Sequence, residues 1–501
     1  MLIYKLFQLI LVLKKVLIFV YITPQTRQTL CFFRIFFAKK FFFHNFTPKV
    51  LNLMKLFYLF CIVFFQAFLS FSQTESPSTE KSRKNGHIVF EKEDEQYGAL
   101  FLTLNNGAKI VIKKTDNPKN KTEFLAYSRK GISFNKERDF YNFKFEDLII
   151  QNTVINNFID KVNTSAVLKY NLKNGGVWFQ GGCYDDGLKD LIKMIYSSFI
   201  SKGCKSQDFD FCKYHIIRQL KERCGYEGLV FEDSVFLTRY PKTKHFVQED
   251  TKKIKKKKLF KNYTKRVTPT GDFTFYFCGN FEIDTLKKYI CQYIGALPEK
   301  KSNGGSPKNK LEFNNKTFDK TFHIQCEENI FQTDYISKSL KYNLENKIKT
   351  QALQNYINKR LKTFNADTIK CNINFLHSQK ELLSEIRLSI IAYKRNGCNN
   401  QLNKEINSII QDISQNGFNK EDLENIKTSL IKEHRQDILK NSYWISVMHE
   451  KYNFNCDADS YYEKITEELT GEELQKFFNY FLSKAVKHTY SAQPLKVVST
   501  N

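Results

Sequence analysis

Residues 300–310, KKSNGGSPKNK, divide this chain into two parts, because Gly, Ser, Pro and Lys leave nothing apolar to bury there. On both sides of this stretch, strand patterns come first and helix patterns follow. A chain of 501 residues has room for two or three domains. We therefore predict a domain at 96–299, a linker at 300–312 and a second domain at 313–501. Each domain is expected to be α+β, with an antiparallel sheet covered by helices.

The first domain is expected to begin with a β-hairpin. Two β-rich runs, ALFLTL and AKIVIK, flank Asn105-Asn106-Gly107, and an Asn-Gly turn tolerates positive φ. Trp178 lies between two pairs of glycines, which is more typical of the edge of a hairpin than of a sugar-binding platform. We further predict strands at 122–131, 164–170, 176–181 and 271–281, and helices at 145–158 and 188–199. The strand at 271–281 has apolar residues on both faces, so both of its faces are expected to be buried.

The second domain shows the same order of patterns. FDKTFHIQCEE is typical of a strand, and residues 335–361 are predicted to form one helix because Leu and Ile recur along one side. Two later helix starts are well marked, because Asn419 and Thr470 each precede an acidic residue at the third helical position. Further elements are predicted as strands at 369–376 and 384–392 and a helix at 401–414.

The N-terminal region is expected to lie outside the folded domains. Residues 54–72 have a lysine, an apolar run and then small residues, and are therefore predicted to be a secretory signal peptide. Residues 73–95 are polar and are interpreted as a flexible leader. Residues 1–53 are interpreted as a doubtful extension, with a retained membrane anchor as the alternative. The protein is thus expected to be exported to the periplasm or the extracellular space, with a membrane partner only if this extension is retained.

The formal net charge of +26 indicates a diffusely basic surface. Attraction to nucleic acid or to an anionic membrane is the alternative, but no basic motif interleaved with aromatic residues follows residue 80. We therefore expect no nucleic-acid partner. Twelve cysteines are present without a C-x-x-C pair or a zinc-finger spacing, so we predict neither a disulfide framework nor a structural zinc site. One or two isolated disulfides are the alternative for an exported protein.

The histidines exclude one kind of metal site. A helical zinc motif of the H-E-x-x-H or H-x-x-E-H type needs two imidazoles one turn apart, but the closest pair here is His434 and His449. Two weaker metal-like clusters are better explained by chance: His323 with Glu327 and Glu328, and His245 with Glu249 and Asp250. We predict no catalytic residue, no metal ligand and no cofactor of this chain's own.

Six segments carry a resemblance to a known family. They are LNNGAKIVIKKTD at 104–116, the strand FLAYSRKGIS at 124–133, the helix at 188–199, FEDSVFLTRYPKTKHFVQED at 231–250, DFTFYFCGNFEIDTLKKYICQYIGALP at 272–298 and FNKEDLENIKTSLIKEHRQDILKNSYWISVM at 418–448. In this order they resemble the insulinase or pitrilysin-like metallopeptidases, also called inverzincins. The chain resembles most the C-terminal half, which lacks the zinc motif, of the long bacterial members of this family.

The resemblance implies two similar domains that form one half of a clamshell. In the family, the other half carries H-x-x-E-H, and the non-zinc half supplies chamber wall and a substrate-holding Arg and Tyr seven residues apart. Arg360 is the nearest counterpart of that arginine, but Asp367 stands where the tyrosine is expected, and an alternative alignment places Ile369 there. Arg360 is therefore the candidate substrate-binding residue, in a pair that is broken.

The resemblance implies a catalytically inactive member of the family. The simplest role for such a member is the non-catalytic subunit of a zinc metallopeptidase that acts on peptides. Zinc is then expected only in a partner subunit that bears the inverted motif. A stand-alone peptide-binding or scaffolding module, capturing extended peptides along an exposed sheet edge, is the first alternative. An enzyme that uses ligands scattered in sequence is the second.

Overall fold

The computed structural model describes residues 85–116, 121–132, 145–162, 164–173, 175–223, 226–242, 248–299, 313–324, 326, 328–362, 368–376, 383–394 and 399–494. All of them belong to one compact unit, Arg83–Asn501. The predicted extension, signal peptide and linker lie outside the described residues, and the boundaries at 299 and 313 stay predictions. Within the described ranges, no helix is both long enough and apolar enough to cross a membrane, and no disulfide is formed.

The first lobe is built on a seven-stranded sheet with the order β1-β2-β3-β7-β4-β6-β5. Neighbouring strands are antiparallel except for β3 and β7, which are parallel. The strands are β1 (Ile88–Asp94), β2 (Ala99–Leu104), β3 (Lys109–Lys114), β4 (Lys121–Ser128), β5 (Val167–Lys173), β6 (Gly176–Tyr184) and β7 (Thr274–Gly279). Every residue of β7 is buried, which confirms that both faces of this central strand are covered.

The second lobe has a five-stranded sheet with the order β10-β11-β9-β12-β8. Its strands are β8 (Phe318–Ile324), β9 (Asn329–Lys341), β10 (Thr368–Leu376), β11 (Leu383–Lys394) and β12 (Val486–Pro494). The pair β8 and β12 is parallel, and the other pairs are antiparallel. The order β8-β12-β9-β11-β10 repeats β3-β7-β4-β6-β5 strand for strand, with the same parallel pair. The prediction of two similar α+β lobes is thereby confirmed, although each sheet includes one parallel pair.

Helices cover one face of each sheet. In the first lobe they are α1 (Glu146–Ile150), α2 (Asn156–Val162), α3 (Leu188–Ile200), α4 (Ser206–Arg223), α5 (Glu227–Arg239), α6 (Lys256–Val267) and α7 (Ile283–Tyr289). In the second they are α8 (Leu344–Leu361), α9 (Asn399–Asn416), α10 (Lys420–Asp437), α11 (Asn441–Phe454), α12 (Tyr462–Glu468) and α13 (Gly471–Lys484). A π-helical segment, Gln151–Ile155, joins α1 to α2. Each lobe has its own large apolar core between sheet and helices.

The two lobes exchange one helix each. Helix α5 of the first lobe packs on the second sheet, where Phe231 and Val235 share a core with Ile330 and Tyr490. Helix α11 of the second lobe packs on the free face of the first sheet, where Met448 joins a core with Val111, Leu125 and Tyr276 among others. Because each lobe completes the core of the other, we expect them to be stable only together.

Several local predictions are confirmed by specific contacts. Gly107 has φ +83° in the β2–β3 turn, as the Asn-Gly pair indicates. The Asn419 side chain accepts a hydrogen bond from Asp422 N, and Thr470 forms a full capping box with Glu473. Such caps stabilise a helix by about 1 kcal/mol each.

Two local predictions were wrong. Residues 335–341 belong to β9, and the helix begins only at Leu344, after Asn343 caps it by accepting from Asn346 N. The leucine spacing continues from strand into helix and hid this boundary, whereas pairing of β9 with both β11 and β12 fixes the strand. Strand β1 lies within the stretch predicted to be a flexible leader. Its side chains are mostly exposed, so its composition is polar although its backbone pairs with β2.

Candidate functional site

A cleft of about 480 Å³ lies on the first sheet beside the exchanged helix α11. Its floor is formed by one face of β4, β6 and β5, and its wall by the side of α11 that carries Ser442, Ser446 and His449. These three residues recur every three or four positions, so they lie along one side of the helix. Helix α11 covers the centre of the sheet and leaves the face of β5 and β6 open.

Small residues on both sides create this space. Strand β6 contributes Gly181 and Gly182 to the lining of the cleft, and helix α11 contributes exposed serines at 442 and 446. A Cβ atom at Gly182 would lie 2.4 Å from the carbonyl oxygen of Thr122, so the close approach of β6 to β4 requires glycine there. The pairing of the strands and the opening of the cleft therefore depend on the same residue.

An aromatic cluster forms one end of the cleft. The Trp178 ring lies 5.2 Å from Tyr127, and the imidazole of His449 meets Tyr127 edge to face at 4.5 Å. Lys173 places its ammonium group 5.8 Å from the centre of the Trp178 ring, within the range of a cation–π contact. Trp178 is thus held as a rigid, half-buried surface. It lies on β6, one strand in from the edge, so the expected hairpin edge is β5 and not the strand of Trp178.

The charges around the cleft are unequal. Glu123 is the one acidic residue among those that line it, and its carboxylate lies 2.6 Å from the Lys121 ammonium group. The hydrogen bond to Glu123 raises the pKa of Lys121. Lys169 and Lys173 extend from the same face of β5, are exposed, and have no carboxylate partner among the described residues. Lys169 lines the cleft, and Lys173 lies next to the cleft beside Trp178. The β5 side of the cleft is therefore basic.

The outer edge of β5 is covered by a side chain. Gln151, the first residue of the π-helical segment, donates from Nε2 to the Leu168 carbonyl oxygen at 3.0 Å and accepts from Tyr170 N at 2.9 Å. Leu168 and Tyr170 alternate along the strand, so one glutamine satisfies two of the backbone groups that face away from β6. Covering an edge in this way opposes pairing with another chain, so capture of a peptide as an added strand is disfavoured at β5.

We predict that Gln151→Ala lowers the free energy of unfolding by about 1–3 kcal/mol, because it leaves buried backbone groups without partners. Urea unfolding measures the loss, and hydrogen exchange at the Tyr170 amide should accelerate. Gln401→Ala is the matched control, since Gln401 is exposed and bonds to Glu405 within the same helix. An equal effect of the two substitutions would contradict the role of Gln151.

Two buried ion pairs were not foreseen from the sequence. Glu146 is fully buried and bonds to Arg266 and to the Tyr170 hydroxyl, the latter at 2.7 Å. Burial raises the pKa of Glu146, and the charge of Arg266 opposes that rise. Arg239, at the end of α5, bonds to buried Asp334 of β9 and thereby joins the two lobes. Neither pair lines the cleft.

The cleft offers polar groups that can bind a ligand. Within the ranges that the structure describes, no three His, Cys, Asp or Glu side chains are grouped closely enough to hold a metal ion. Its polar groups are two lysines, Glu123, serine and tyrosine hydroxyls, a glutamine, a cysteine and one imidazole. Such a set can orient a ligand.

Comparison with known proteins identifies the fold. Residues 253–430 match the sequence family described as the peptidase M16 inactive domain. The periplasmic protease PqqL from Escherichia coli superposes with a TM-score of 0.70 at 14% identity, over 82% of this chain and 47% of PqqL. The chain resembles the M16 peptidases. It spans about half the length of PqqL.

Two further structures match over nearly their full length. A protease from Helicobacter pylori has a TM-score of 0.67 at 13% identity, over 81% of this chain and 100% of that one. A peptidase M16 inactive domain from Pseudomonas fluorescens has a TM-score of 0.64 at 11% identity, over 79% of this chain and 98% of that one. No curated protein matches the chain. The M16 likeness, in fold and in the inactive-domain match, confirms the insulinase-family resemblance.

The structure places the candidate M16 substrate residue away from the cleft. Arg360 ends helix α8 and donates from Nη2 to Asp412 of α9 at 2.8 Å. Both side chains are partly exposed, and neither lines the cleft. Asp367 lies outside the described residues, so the loss of the Arg–Tyr pair stays a prediction. Contact between Arg360 and a substrate also stays a prediction.

Among the described residues, His323, His434 and His449 lie on three different elements. His323 is exposed on β8, which ends at Ile324, before Glu328, while His245 and Glu327 lie outside the described residues. His434 on α10 bonds to Asp459 at 2.9 Å and stacks on Tyr462, whereas His449 lines the cleft. The expectation that this chain holds no zinc of its own stays a prediction.

Proposed function

We propose that the protein is the non-catalytic part of a two-part peptide-degrading chamber. The single observation that carries the proposal is an M16-like fold with an inactive-domain match in a sequence that has no H-x-x-E-H motif. The chain covers 47% of PqqL, so a second component of similar size would be needed to build an assembly of that length. A zinc ion in that component would supply the Lewis acid, and this chain would contribute wall and contacts to the peptide.

The proposal also includes a location outside the cytoplasm. We propose export through the predicted signal peptide at 54–72, which agrees with the description of PqqL as periplasmic. Arg360 is retained as a proposed substrate contact of the assembled peptidase. An Arg360→Met variant with an unchanged KM for peptide in that assembly would contradict this role.

The proposal predicts co-purification. Full-length tagged protein, isolated from its native cells, should elute with a second protein that bears H-x-x-E-H and is present in equal amount. The joint fraction should degrade peptides, and a zinc chelator should abolish the degradation. Elution of this chain alone, with all peptide-degrading activity in other fractions, would contradict the proposal.

A stand-alone peptide-binding module is the second candidate. The open cleft beside α11 favours it, because the cleft belongs to this chain entirely and needs no partner to form. Binding of peptides by the purified chain without a zinc-bearing partner in the native cells would favour this candidate over the first.

A further inference from the structure

We propose that the cleft between α11 and the β5–β6 face binds a short extended segment of an acidic peptide, an inference that rests on the proposed peptide-handling role. The carboxylates of that segment are held by Lys169 and Lys173 of β5. The apolar part of the segment packs on Trp178. The proposal assigns the substrate class of the site and does not depend on a second subunit.

Shape decides that the ligand lies on the face of the sheet. The outer edge of β5 is occupied at Leu168 and Tyr170 by the side chain of Gln151, so an added strand finds these groups already bonded. The face is open because Gly182 has no side chain and Ser446 has a short one. A volume of about 480 Å³ is within the usual range for ligand sites. It admits a few residues of an extended chain.

Charge decides which peptides are preferred. Lys121 is neutralised by Glu123, but the two lysines of β5 remain without a carboxylate partner in the described part of the chain. Lys169 and Lys173 are four residues apart on one face of a strand, which places their attachment points about 13 Å apart. An extended peptide with two acidic residues four positions apart presents its carboxylates on one side at the same spacing.

The opposite wall supplies matching hydrogen-bond donors. Ser442 and Ser446 are exposed on α11 and line the cleft together with Lys169. A hydroxyl can donate to a carboxylate oxygen, whereas a wall of acidic residues would repel it. Between the charged positions, Trp178 and Leu125 form an apolar floor, so an aliphatic or aromatic residue between the two acids is favoured.

The two tryptophans of the chain allow a direct test. Trp178 forms the floor, while Trp444 is held on α11 by a hydrogen bond from Nε1 to the Ile438 carbonyl oxygen. Full-length protein is titrated with a Thr/Val peptide that carries two glutamates four positions apart. We expect a saturable change in tryptophan fluorescence that is absent in Trp178→Phe and weakens as salt is added. A peptide with lysines at both positions, or with glutamates three positions apart, should bind at least about tenfold more weakly.

Charge reversal provides the matched pair of variants. Lys169→Glu/Lys173→Glu should weaken binding of the acidic peptide at least about tenfold, since two attractive contacts become repulsive. Lys257→Glu/Lys261→Glu changes the net charge equally at two exposed positions of α6 and should leave binding unchanged. Ser446→Phe should abolish binding by filling the cleft. Circular dichroism confirms that each variant is folded.

The outcomes separate this inference from the proposed function. Equal binding of the lysine peptide, a fluorescence change that persists in Trp178→Phe, no binding, or an unaffected Lys169→Glu/Lys173→Glu variant would each overturn the assignment of the cleft. None of these results bears on whether a zinc-bearing subunit co-purifies. Conversely, selective binding of the acidic peptide by the isolated chain would stand even if no such subunit existed.

Discussion

Replacing Arg266 with Met is expected to lower the free energy of unfolding by about 3–5 kcal/mol at neutral pH, because it leaves a buried carboxylate without its counter-ion. Glu146 is fully buried, and its Oε2 atom has no hydrogen-bond partner among the described residues. Its Oε1 atom accepts from both Arg266 and Tyr170. Without Arg266, the tyrosine hydroxyl is the one bond shown here that remains to stabilise the charge.

The pH dependence of this loss has a definite sign. Burial raises the pKa of Glu146 in the folded protein, while the charge of Arg266 and the hydrogen bonds lower it. A carboxyl whose folded pKa exceeds its unfolded value, about 4.3, makes the protein less stable as pH rises between the two values. Arg266→Met raises the folded pKa further and extends this window upward. The destabilisation relative to wild type should therefore be greater at about pH 8 than at about pH 5.

Urea unfolding at both pH values measures the difference, and the double variant is the control. Glu146→Gln/Arg266→Met removes both charges, so it should recover most of the lost stability and show no extra loss at high pH. An equal loss for Arg266→Met at the two pH values would show that the arginine acts through packing and not through charge.

The second large effect concerns the exchange of helices between the lobes. If a protease recognition site is placed between Gly304 and Gly305 and the chain is cut there, we expect both fragments to remain together under native conditions. Helix α5 remains packed in the core of the second lobe, and helix α11 remains packed in the core of the first lobe. The buried Arg239–Asp334 ion pair also joins the two fragments. Burial of several large apolar side chains at each of the two contacts stabilises the association of the fragments by several kcal/mol. Size-exclusion chromatography after cleavage measures it.

Charged substitutions in the exchanged helices provide the control. Met448→Asp on α11 and Val235→Asp on α5 place a carboxylate in each apolar contact, so the cut fragments should separate or precipitate. Leu439→Asp also replaces an apolar side chain with a carboxylate, but Leu439 lies just before α11 and is 57% exposed. This substitution should leave the fragments together. Separation of the cut wild-type fragments without denaturant would contradict the reciprocal packing.

Local order was predictable because it depends on neighbours in sequence. The Asn-Gly turn, the caps at Asn419 and Thr470, and the apolar strand β7 all follow from a few adjacent residues. The end of β9 was missed because residues 335–341 continue the leucine spacing of the helix after them. Only pairing with β11 and β12, which lie far along the chain, makes this segment a strand.

The site was predictable only in part. Trp178 and its glycines stand out in the sequence, but the wall that turns their strand into a cleft comes from Ser442 and Ser446. The amphipathic pattern of a helix predicts that one side packs against the protein, but it does not identify the sheet on which that side packs. Glu146 and Arg266 are 120 positions apart and resemble ordinary surface charges until the fold brings them together. Charge patterns cannot reveal such pairs without the topology.

The most direct measurement of the central claim is the metal content and peptide-hydrolysing activity of the isolated full-length chain. The account predicts zinc well below one equivalent, and no peptide hydrolysis until a subunit bearing H-x-x-E-H is added. Zinc bound in equal amount to the isolated chain, with hydrolysis that is lost on chelation and restored by zinc, would contradict it.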